Sequence, residues 1–420
     1  MASITNSFDV VVAGGGSSGV AAAVAAARVG ANTLLIERFS CLGGASTMRS
    51  VVTYCGLYTL DSKPKLAVRG SAEEVVRLLK IRGAVTPPIR HRGVFVVFEP
   101  EAVKIVLDEI ASEAGVTVLY GALVVGAEKN EKGINRITIA SHSGLEEIKG
   151  RVFVDCTGEG DLAARAGAST RYGNGDQINL GTLATRFGGI SHDTLITAED
   201  ITCAVRSMGD KETGLSKDRS VVARLPISGD LVCYLASEDY DPLQVTSMSD
   251  AEKRGREQAW KYQEAIRSIP GCENAYLVVT GPEFGTRESR HLECKTKLTW
   301  KDIEERREFE DCIALGAWGA EWHDRQTFES TFEYPPDRST YEIPLSCLQS
   351  TDVPNLLCGG RLADGDRKAG AAIRVMGTAF ATGQAAGVAA ALKSTGITDV
   401  SQLQAVLRDQ RAIINCSEIG

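Results

Sequence analysis

Apolar residues near the start of the chain form short runs separated by stretches with helical spacing. The predicted strands are residues 9–13, 33–36, 94–98 and 116–120. One helix is predicted from about residue 19, in an alanine-rich stretch, and another over residues 101–114. Strands that alternate with helices are typical of a parallel sheet covered by helices, so this pattern predicts an α/β fold.

The middle of the chain has a different pattern. Strands are predicted over 181–190, 221–227, 231–237 and 275–281, with helices near 251–268 and 301–313. After this segment the chain ends in a Gly- and Ala-rich helix over about 374–392. We therefore predict a first domain in two parts, 1–165 and 345–420, with a mixed α+β domain inserted over 166–344.

A glycine-rich turn joins the first predicted strand to the first helix. Gly14, Gly16 and Gly19 form G-x-G-x-x-G, in which the glycines allow a tight turn, a close approach of phosphate and close helix–strand packing. Glu37 follows the second strand, where a carboxylate accepts hydrogen bonds from ribose hydroxyls. These residues predict a dinucleotide site but leave NAD and FAD open. Only Arg38 lies beside Glu37, which disfavours the extra phosphate of NADP.

The next residues favour a flavin. The segment ERFSCLGGASTM at 37–48 places Gly43 and Gly44 directly after the acidic residue. A ribityl chain and an isoalloxazine ring need close backbone approach, which glycine permits. This segment resembles the motif E-R-x-x-x-L-G-G-x-x-T of the FAD-dependent oxidoreductase family, within the glutathione-reductase-like FAD-binding superfamily.

Further motifs extend the resemblance along the chain. They are D-x-T-G-x-G-D-L-A at 155–163, GTRESR at 285–290, YEIP at 341–344, NLLCGGR at 355–361 and IRVMGTAFATGQAAG at 373–387. Many relatives also carry H-E-x-H-G before the last motif. This chain has Arg367 and Gly370 at the two histidine positions, so the family's catalytic histidines are not carried over.

The resemblance implies a Rossmann-like, glutathione-reductase-like FAD-binding domain with an inserted substrate domain, and FAD as the cofactor. It implies that the C-terminal helix points its N-terminus at the flavin pyrimidine, where the helix dipole stabilises charge on the reduced ring. The implied FAD-binding residues are Gly14, Gly16, Ser18, Gly19, Glu37, Arg38, Gly43, Gly44, Ala45, Ser46, Thr47, Val124, Thr157, Gly158, Asp161, Gly360, Arg361, Arg374, Val375 and Met376.

A second glycine pattern, Gly158-x-Gly160-x-x-Ala163, also follows an apolar run. Its intervening Glu159 and the following Asp161 would repel a phosphate. We therefore interpret this stretch as a second contact of the chain with the same flavin rather than as a site for NAD(P)H.

Three residues are candidates for catalysis. Arg287 and Arg290 lie three positions apart in GTRESR, and arginine suits a bidentate grip on a carboxylate or the stabilisation of a reduced flavin. An internal salt-bridge cluster is the alternative. His323 lies in the aromatic stretch AWGAEWHDRQ and is a candidate base, although a single histidine is more often structural.

Composition limits the partners. The formal net charge of −8 argues against nucleic acid, which requires clustered basic residues. Eleven scattered cysteines without C-x-x-C predict reduced thiols and a cytoplasmic protein, with no metal site expected. The uncharged run over residues 10–27 is interrupted by three consecutive glycines, so we expect a buried strand and helix rather than a membrane span.

These observations predict an FAD-dependent dehydrogenase or oxidase that takes hydride from a small polar metabolite to flavin N5. A flavin monooxygenase reduced by external NAD(P)H and a binding protein with a structural flavin are the alternatives. The expected partner is a small-molecule substrate, and a homo-oligomer is left open.

Overall fold

The structure is a computed structural model that describes residues 7–175, 177–209 and 214–419. In these residues the helices are α1 Ser17–Arg28, α2 Ser71–Ile81, α3 Pro100–Glu113, α4 Asp161–Arg165, α5 Ala198–Ser207, α6 Val245–Arg267, α7 Trp300–Glu304, α8 Arg367–Ile373, α9 Met376–Ser394 and α10 Val400–Asp409. The strands of the first half are β1 Ser7–Ala13, β2 Thr33–Ile36, β3 Thr53–Cys55, β4 Ile89–Arg90, β5 Val94–Val97, β6 Thr117–Leu119, β7 Leu123–Asn130, β8 Gly133–Ser141, β9 Gly144–Asp155, β10 Thr170–Tyr172 and β11 Gly181–Gly188. Those of the second half are β12 Val222–Arg224, β13 Leu231–Glu238, β14 Tyr276–Thr280, β15 Arg290–Leu292, β16 Cys312–Gly316, β17 Ala320–His323, β18 Ser330–Glu333, β19 Tyr341–Pro344 and β20 Leu356–Cys358.

The central sheet has seven strands and mixes two kinds of pairing. Strands β6, β2, β1 and β9 pair in parallel in that order, and β20 adds a parallel partner to the end of β9. The start of β9 pairs instead with β8, which forms an antiparallel hairpin with β7. The strand β1 is apolar and almost wholly buried because helices cover the parallel part of the sheet.

A second sheet lies in the middle of the chain. Its order is β12-β13-β11-β14, all antiparallel, and α5 and α6 pack on it. The core of this unit draws on residues between 178 and 284. Residues 292–348, in contrast, contribute many side chains to the larger core around the central sheet. The domain boundaries at 165 and 344 stay a prediction.

Helices α1 and α9 pack against each other with their backbones in close approach. A Cβ added at Gly383 would overlap the backbone of Ser18, and one at Gly387 would overlap the backbone of Ala22. Both glycines are buried. The small residues on α9 therefore set the distance between the two helices.

The predicted α/β class is confirmed, and so are most of the predicted elements. The helix predicted over 301–313 is wrong beyond its first turn. A capping box between Thr299 and Asp302 begins α7, but Arg306 has a left-handed backbone that ends the helical path. Residues 312–316 then pair with β19 as a strand in the core.

The helix predicted from residue 374 also requires correction. Two helices, α8 and α9, meet at an angle of 89°. Arg374 and Val375 lie in the bend, and α9 begins at Met376. Among the described helices, none is by itself long and apolar enough to span a bilayer, and only this bent pair meets that test together.

The contact between α1 and α9 provides a test of packing. We expect Gly387→Ala to lower the free energy of unfolding by about 1–3 kcal/mol, because the new methyl group overlaps the backbone of α1. The measurement is denaturant unfolding. Gly126→Ala is the control, because the nearest atoms to its Cβ lie at 3.4 Å, and its effect should stay within about 0.5 kcal/mol. Equal effects of the two substitutions would contradict this account.

Candidate cofactor and substrate site

A cleft opens at the carboxyl ends of β1, β2 and β9. This edge of a parallel sheet is where α/β folds bind nucleotides. The cleft encloses about 960 Å³ of space, part of it open to solvent. Its walls come from the glycine loop after β1, the turn after β9, the loop after β14, and the segment from residue 359 into α9.

The glycine loop allows two backbone contacts that no larger residue permits. Gly14 has a left-handed backbone (φ +93°), and a Cβ there would lie 2.5 Å from the carbonyl oxygen of Cys156. A Cβ at Gly19 would overlap the carbonyl oxygen of Gly14. At Gly16, in contrast, the nearest atom to an added Cβ is 3.9 Å away, on Gly44. Gly16 therefore faces open space, as a residue beside a phosphate should.

The first turn of α1 has free donors. Its N-cap residue, Gly16, has no side chain to accept hydrogen bonds from the turn. Ser17 and Ser18 are buried and line the cleft. Unpaired N–H groups and the helix dipole make this end of α1 suitable for a pyrophosphate.

Glu37 is buried at the end of β2 and fixes the loop. One carboxylate oxygen accepts a hydrogen bond from the Gly15 amide at 2.6 Å, and the other accepts from the Phe39 amide at 2.9 Å. Each oxygen retains a second lone pair for another donor. The predicted contact of Glu37 with a ribose stays a prediction.

A network of ion pairs forms the floor of the cleft around Glu159. Arg49 donates to one Glu159 oxygen at 3.1 Å, Arg361 pairs with the same oxygen, and the Thr286 hydroxyl donates to it at 2.6 Å. Arg49 also donates to Glu283 at 2.9 Å. The network joins four distant parts of the chain.

Burial and charge compete in this network. Burial alone would raise the pKa of Glu159, but the guanidinium groups of Arg361 and Arg49 outweigh it and hold that pKa well below its usual range. Burial lowers the pKa of Arg49 to about 10 against the attraction of Glu159. Glu159 and Arg49 are therefore both charged at neutral pH.

The second glycine turn is held by its own side chains. Asp155 accepts hydrogen bonds from the Thr157 amide and hydroxyl and, through its other oxygen, from the Ala163 amide at 2.8 Å. Burial raises the pKa of Asp155 to about 6. The helix that follows, α4, has only five residues. This turn faces the same cleft as the glycine loop, with Thr157, Gly158 and Asp161 in its wall.

The two arginines of the motif GTRESR have different hydrogen-bond partners. Arg290 donates to the carbonyl oxygen of Glu159 at 2.9 Å and lies 3.4 Å from Asp161, so it braces the second turn. Arg287 donates through Nη1 to the Leu180 carbonyl and, at 3.0 Å, to the Thr182 hydroxyl. Leu180 links Arg287 to His323, because its amide donates to the His323 carbonyl at 2.9 Å.

His323 and Glu321 lie two positions apart on β17, so their side chains share one face of the strand. His323 Nε2 is 3.7 Å from a Glu321 oxygen. Arg374, in the bend before α9, donates to the Glu321 carbonyl at 3.1 Å and lies 3.7 Å from its carboxylate. Together with Lys217, the side chains of Arg287, Glu321, His323 and Arg374 are called the polar wall below. Since Arg374 also lines the cleft, the polar wall adjoins the start of α9.

Buried cations shape the pKa values in this wall. Burial, followed by the charges of Arg287, Arg374, Lys217 and Arg92, holds the pKa of His323 well below its usual range. Burial and Arg287 lower the pKa of Lys217 to about 8. Burial, with Arg374 next, lowers the pKa of Arg287 to about 10. His323 is therefore neutral at pH 7, while Arg287 is charged.

Three buried nitrogen atoms in this neighbourhood lack a hydrogen-bond partner within the described part of the chain. They are Trp322 Nε1, His323 Nδ1 and Arg374 Nε. Trp322 lies on the opposite face of β17, where the Arg367 guanidinium stacks 4.0 Å from its ring. Arg367, at a position where many relatives carry histidine, therefore supports the wall from behind.

Most of the predicted FAD-binding residues line the cleft: Gly14, Gly16, Ser18, Glu37, Arg38, Gly44, Ala45, Val124, Thr157, Gly158, Asp161, Gly360, Arg361, Arg374 and Met376. The others lie behind it: Gly19, Gly43, Ser46, Thr47 and Val375. Ser46 and Thr47 donate to the carbonyls of the turn that presents Gly44, and Val375 packs against Gly56.

Sequence reasoning missed several residues of the cleft and its wall. The missed lining residues include Ser17, Phe39, Arg49, Cys156, Glu283 and Ala379, and Lys217 and Glu321 were missed in the polar wall. Arg49 has no local motif, because its acidic partners lie 110 and 234 residues away. The role of Arg49 could be predicted only with information on contacts between distant parts of the chain.

The family model for FAD dependent oxidoreductases matches residues 9–412. The chain belongs to this family, and its cofactor is FAD. The fold is accordingly the glutathione-reductase-like FAD-binding fold expected from the motifs. No curated protein matches the chain significantly in sequence.

Several solved structures are similar over most of the chain. A geranylgeranyl bacteriochlorophyll reductase-like protein from Thermoplasma acidophilum is 14% identical, with a TM-score of 0.48 over 97% of this chain and 84% of that one. The OxyS anhydrotetracycline hydroxylase from Streptomyces rimosus is 13% identical, with a TM-score of 0.46 over 96% of this chain and 66% of that one. The chain thus spans about two thirds of that hydroxylase.

The cleft fits the cofactor of the family. The uncapped N-termini of α1 and α9 both open into it. Arg361 Nη1 and Thr378 Oγ1 are buried without partners, on the segment that runs from the cleft floor into α9. Free donors suit the pyrophosphate at one end and the flavin carbonyls at the other.

The ion-pair network around Glu159 provides a second prediction. We expect Glu159→Gln to lower the free energy of unfolding of the holoprotein by about 3–5 kcal/mol, since it leaves Arg361 without its carboxylate partner among the described residues and Arg49 with Glu283 alone. Thermal or denaturant unfolding, together with FAD retention on gel filtration, measures the effect. The matched control is Glu147→Gln, an exposed partner of Arg136, which should change little. A Glu159→Gln protein as stable as the control would show that the network does not stabilise the fold.

Proposed function

We propose that the protein is an FAD-dependent dehydrogenase or oxidase that oxidises a small polar metabolite. The observation that carries this proposal is the polar wall of Arg287, Glu321, His323 and Arg374 beside the start of α9, with its unpartnered nitrogen atoms. Buried polar groups without partners are rare in a folded protein, and a polar ligand would satisfy them. FAD, when bound, supplies the acceptor for a hydride removed from a C–H bond of the substrate.

His323 is the proposed base. It is neutral because burial and nearby cations depress its pKa, so a ring nitrogen is available to accept a proton. Glu321, 3.7 Å from Nε2, is close enough for its negative charge to stabilise the imidazolium that forms. As the substrate loses a hydride from carbon, the proton of its hydroxyl or amino group passes to His323. The product is a carbonyl compound or an imine.

The second glycine turn supports this reading over a monooxygenase reduced by NAD(P)H. Its short helix and its acidic residues offer no second pyrophosphate site within the described part of the chain. The monooxygenase remains the alternative outcome of the first experiment below.

The proposed partner is a small molecule, in keeping with the net charge of −8. A homo-oligomer is not part of the proposal. The eleven cysteines are all free, which supports a reducing compartment and hence the cytoplasm.

Flavin reduction tests the proposed function. We expect the purified holoprotein, mixed without oxygen, to lose its flavin absorption with a member of a panel of small alcohols, hydroxy acids, amines and amino acids. NADPH and NADH should bleach it slowly or not at all. Rapid bleaching by NADPH would instead favour the monooxygenase. Bleaching by neither group of compounds would favour a structural flavin.

Substitution of His323 tests the base. We expect His323→Gln to slow flavin reduction by about 10²–10⁴-fold in kcat, with a smaller change in KM, because glutamine accepts no proton. The wild-type rate should not fall between pH 7 and pH 6, because the pKa of His323 lies well below its usual range. His142→Gln, an exposed residue between β8 and β9, is the control. An ordinary histidine titration near pH 6.5, or an unchanged kcat, would contradict the assignment.

A further inference from the structure

Two cations in the polar wall have no acidic partner among the described residues. Arg287 bonds only neutral oxygen atoms, through Nη1, which leaves Nε and Nη2 without hydrogen bonds. Lys217 bonds Tyr262 through its own backbone atoms, and its ammonium group forms no ion pair with any described residue. Arg287 is also free of ion pairs in the described part of the chain.

The surroundings of these two residues are positive. Hydrogen bonds connect the two residues: Thr182, which accepts from Arg287, bonds the Ser237 hydroxyl, and the Ser237 amide donates to Ser216, the neighbour of Lys217. The charged groups that act on them most strongly are Arg92, Arg374 and Glu321, and His323 nearby is neutral. Glu321, the one carboxylate of this set, is already engaged by Arg374 and His323. Bringing cations together in a partly desolvated place is unfavourable unless an anion balances them.

We propose that Lys217 and Arg287 form a subsite for the carboxylate of the substrate. The substrate class is then a small carboxylic acid that carries the oxidisable hydroxyl or amino group. This inference rests on the proposed function and deepens it. The free Nε and Nη2 of Arg287 form the edge that binds a carboxylate in a bidentate manner. Glu321 in the same wall disfavours a dianion such as phosphate.

In this subsite, the residues that bind the carboxylate differ from the residue that accepts the proton. Lys217 and Arg287 hold the carboxylate, and His323, whose main-chain carbonyl bonds the Leu180 amide at 2.9 Å, stands next to the Arg287 guanidinium. The adjoining carbon of a hydroxy or amino acid would then lie within reach of the base. Arg374 connects this wall to the start of α9 and to the cofactor cleft.

Binding of a non-reacting carboxylate to the holoprotein tests the subsite. The probes are acetate, the uncharged acetamide and inorganic phosphate, followed by flavin difference spectra and calorimetry at pH 7. We expect acetate to bind in preference to both others, and Lys217→Met or Arg287→Met to weaken acetate at least tenfold without changing acetamide. Lys253→Met is the control, because Lys253 is exposed on α6 and paired with Asp250.

The pH dependence gives a second readout that a purely structural role would not produce. Acetate affinity should fall as pH rises through about 8, where Lys217 loses its proton, with the midpoint moved upward in the complex because the anion favours the charged lysine. Lys217→Arg should restore binding and remove this limb. If the Arg287 variant fails to fold, the Lys217 pair of variants still decides the question.

The outcomes separate the two proposals. Tighter binding of phosphate than of acetate through Lys217 would overturn the carboxylate assignment. Reduction of the flavin by neutral alcohols or simple amines, with no carboxylate binding, would overturn the subsite and leave the proposed function standing. Acetate binding that depends on Lys217 and Arg287, with no metabolite able to reduce the flavin, would support the subsite and overturn the proposed function.

Discussion

Close approach of backbone to backbone is the constraint on which the whole site depends. Gly14 lies against the Cys156 carbonyl, Gly19 against the Gly14 carbonyl, and Gly383 against Ser18. These contacts bring β1, β9, α1 and α9 to distances that any side chain would prevent. They place the uncapped ends of α1 and α9 in one cleft, where their free N–H groups face the same cofactor.

The balance of charge differs between the cleft floor around Glu159 and the polar wall around His323. Around Glu159, two buried arginines meet two carboxylates, because Arg49 and Arg361 pair with Glu159 and Arg49 also pairs with Glu283, so these charges are balanced before any ligand arrives. Around His323, cations outnumber the single engaged carboxylate, and several nitrogen atoms lack partners. The first arrangement serves the stability of the fold. The second leaves electrostatic free energy that a bound anion can recover.

Local sequence was sufficient for much of the fold and for the glycine loop. Neighbouring residues alone predict the strands at residues 9–13 and 33–36 and the helix between them. The family motifs are likewise local, so they were found in their order along the chain. The helix predicted over 301–313 failed because a left-handed residue and strand pairing with β19 overrode its helical spacing. Arg49 and Lys217 were missed for another reason: the charged groups around each of them lie far away in the chain.

The packing of α9 on α1 also bears on the order in which the molecule is made. The strands β1 and β9 and the antiparallel sheet with its own core all precede α9 in the chain. The antiparallel unit can therefore acquire its core early, whereas the cofactor cleft lacks one wall until Met376–Ser394 has emerged and docked. Contacts of such long sequence separation are slow to form. We therefore expect the cofactor to bind late in folding, after α9 has docked, with the amides of the glycine loop exposed to water until then.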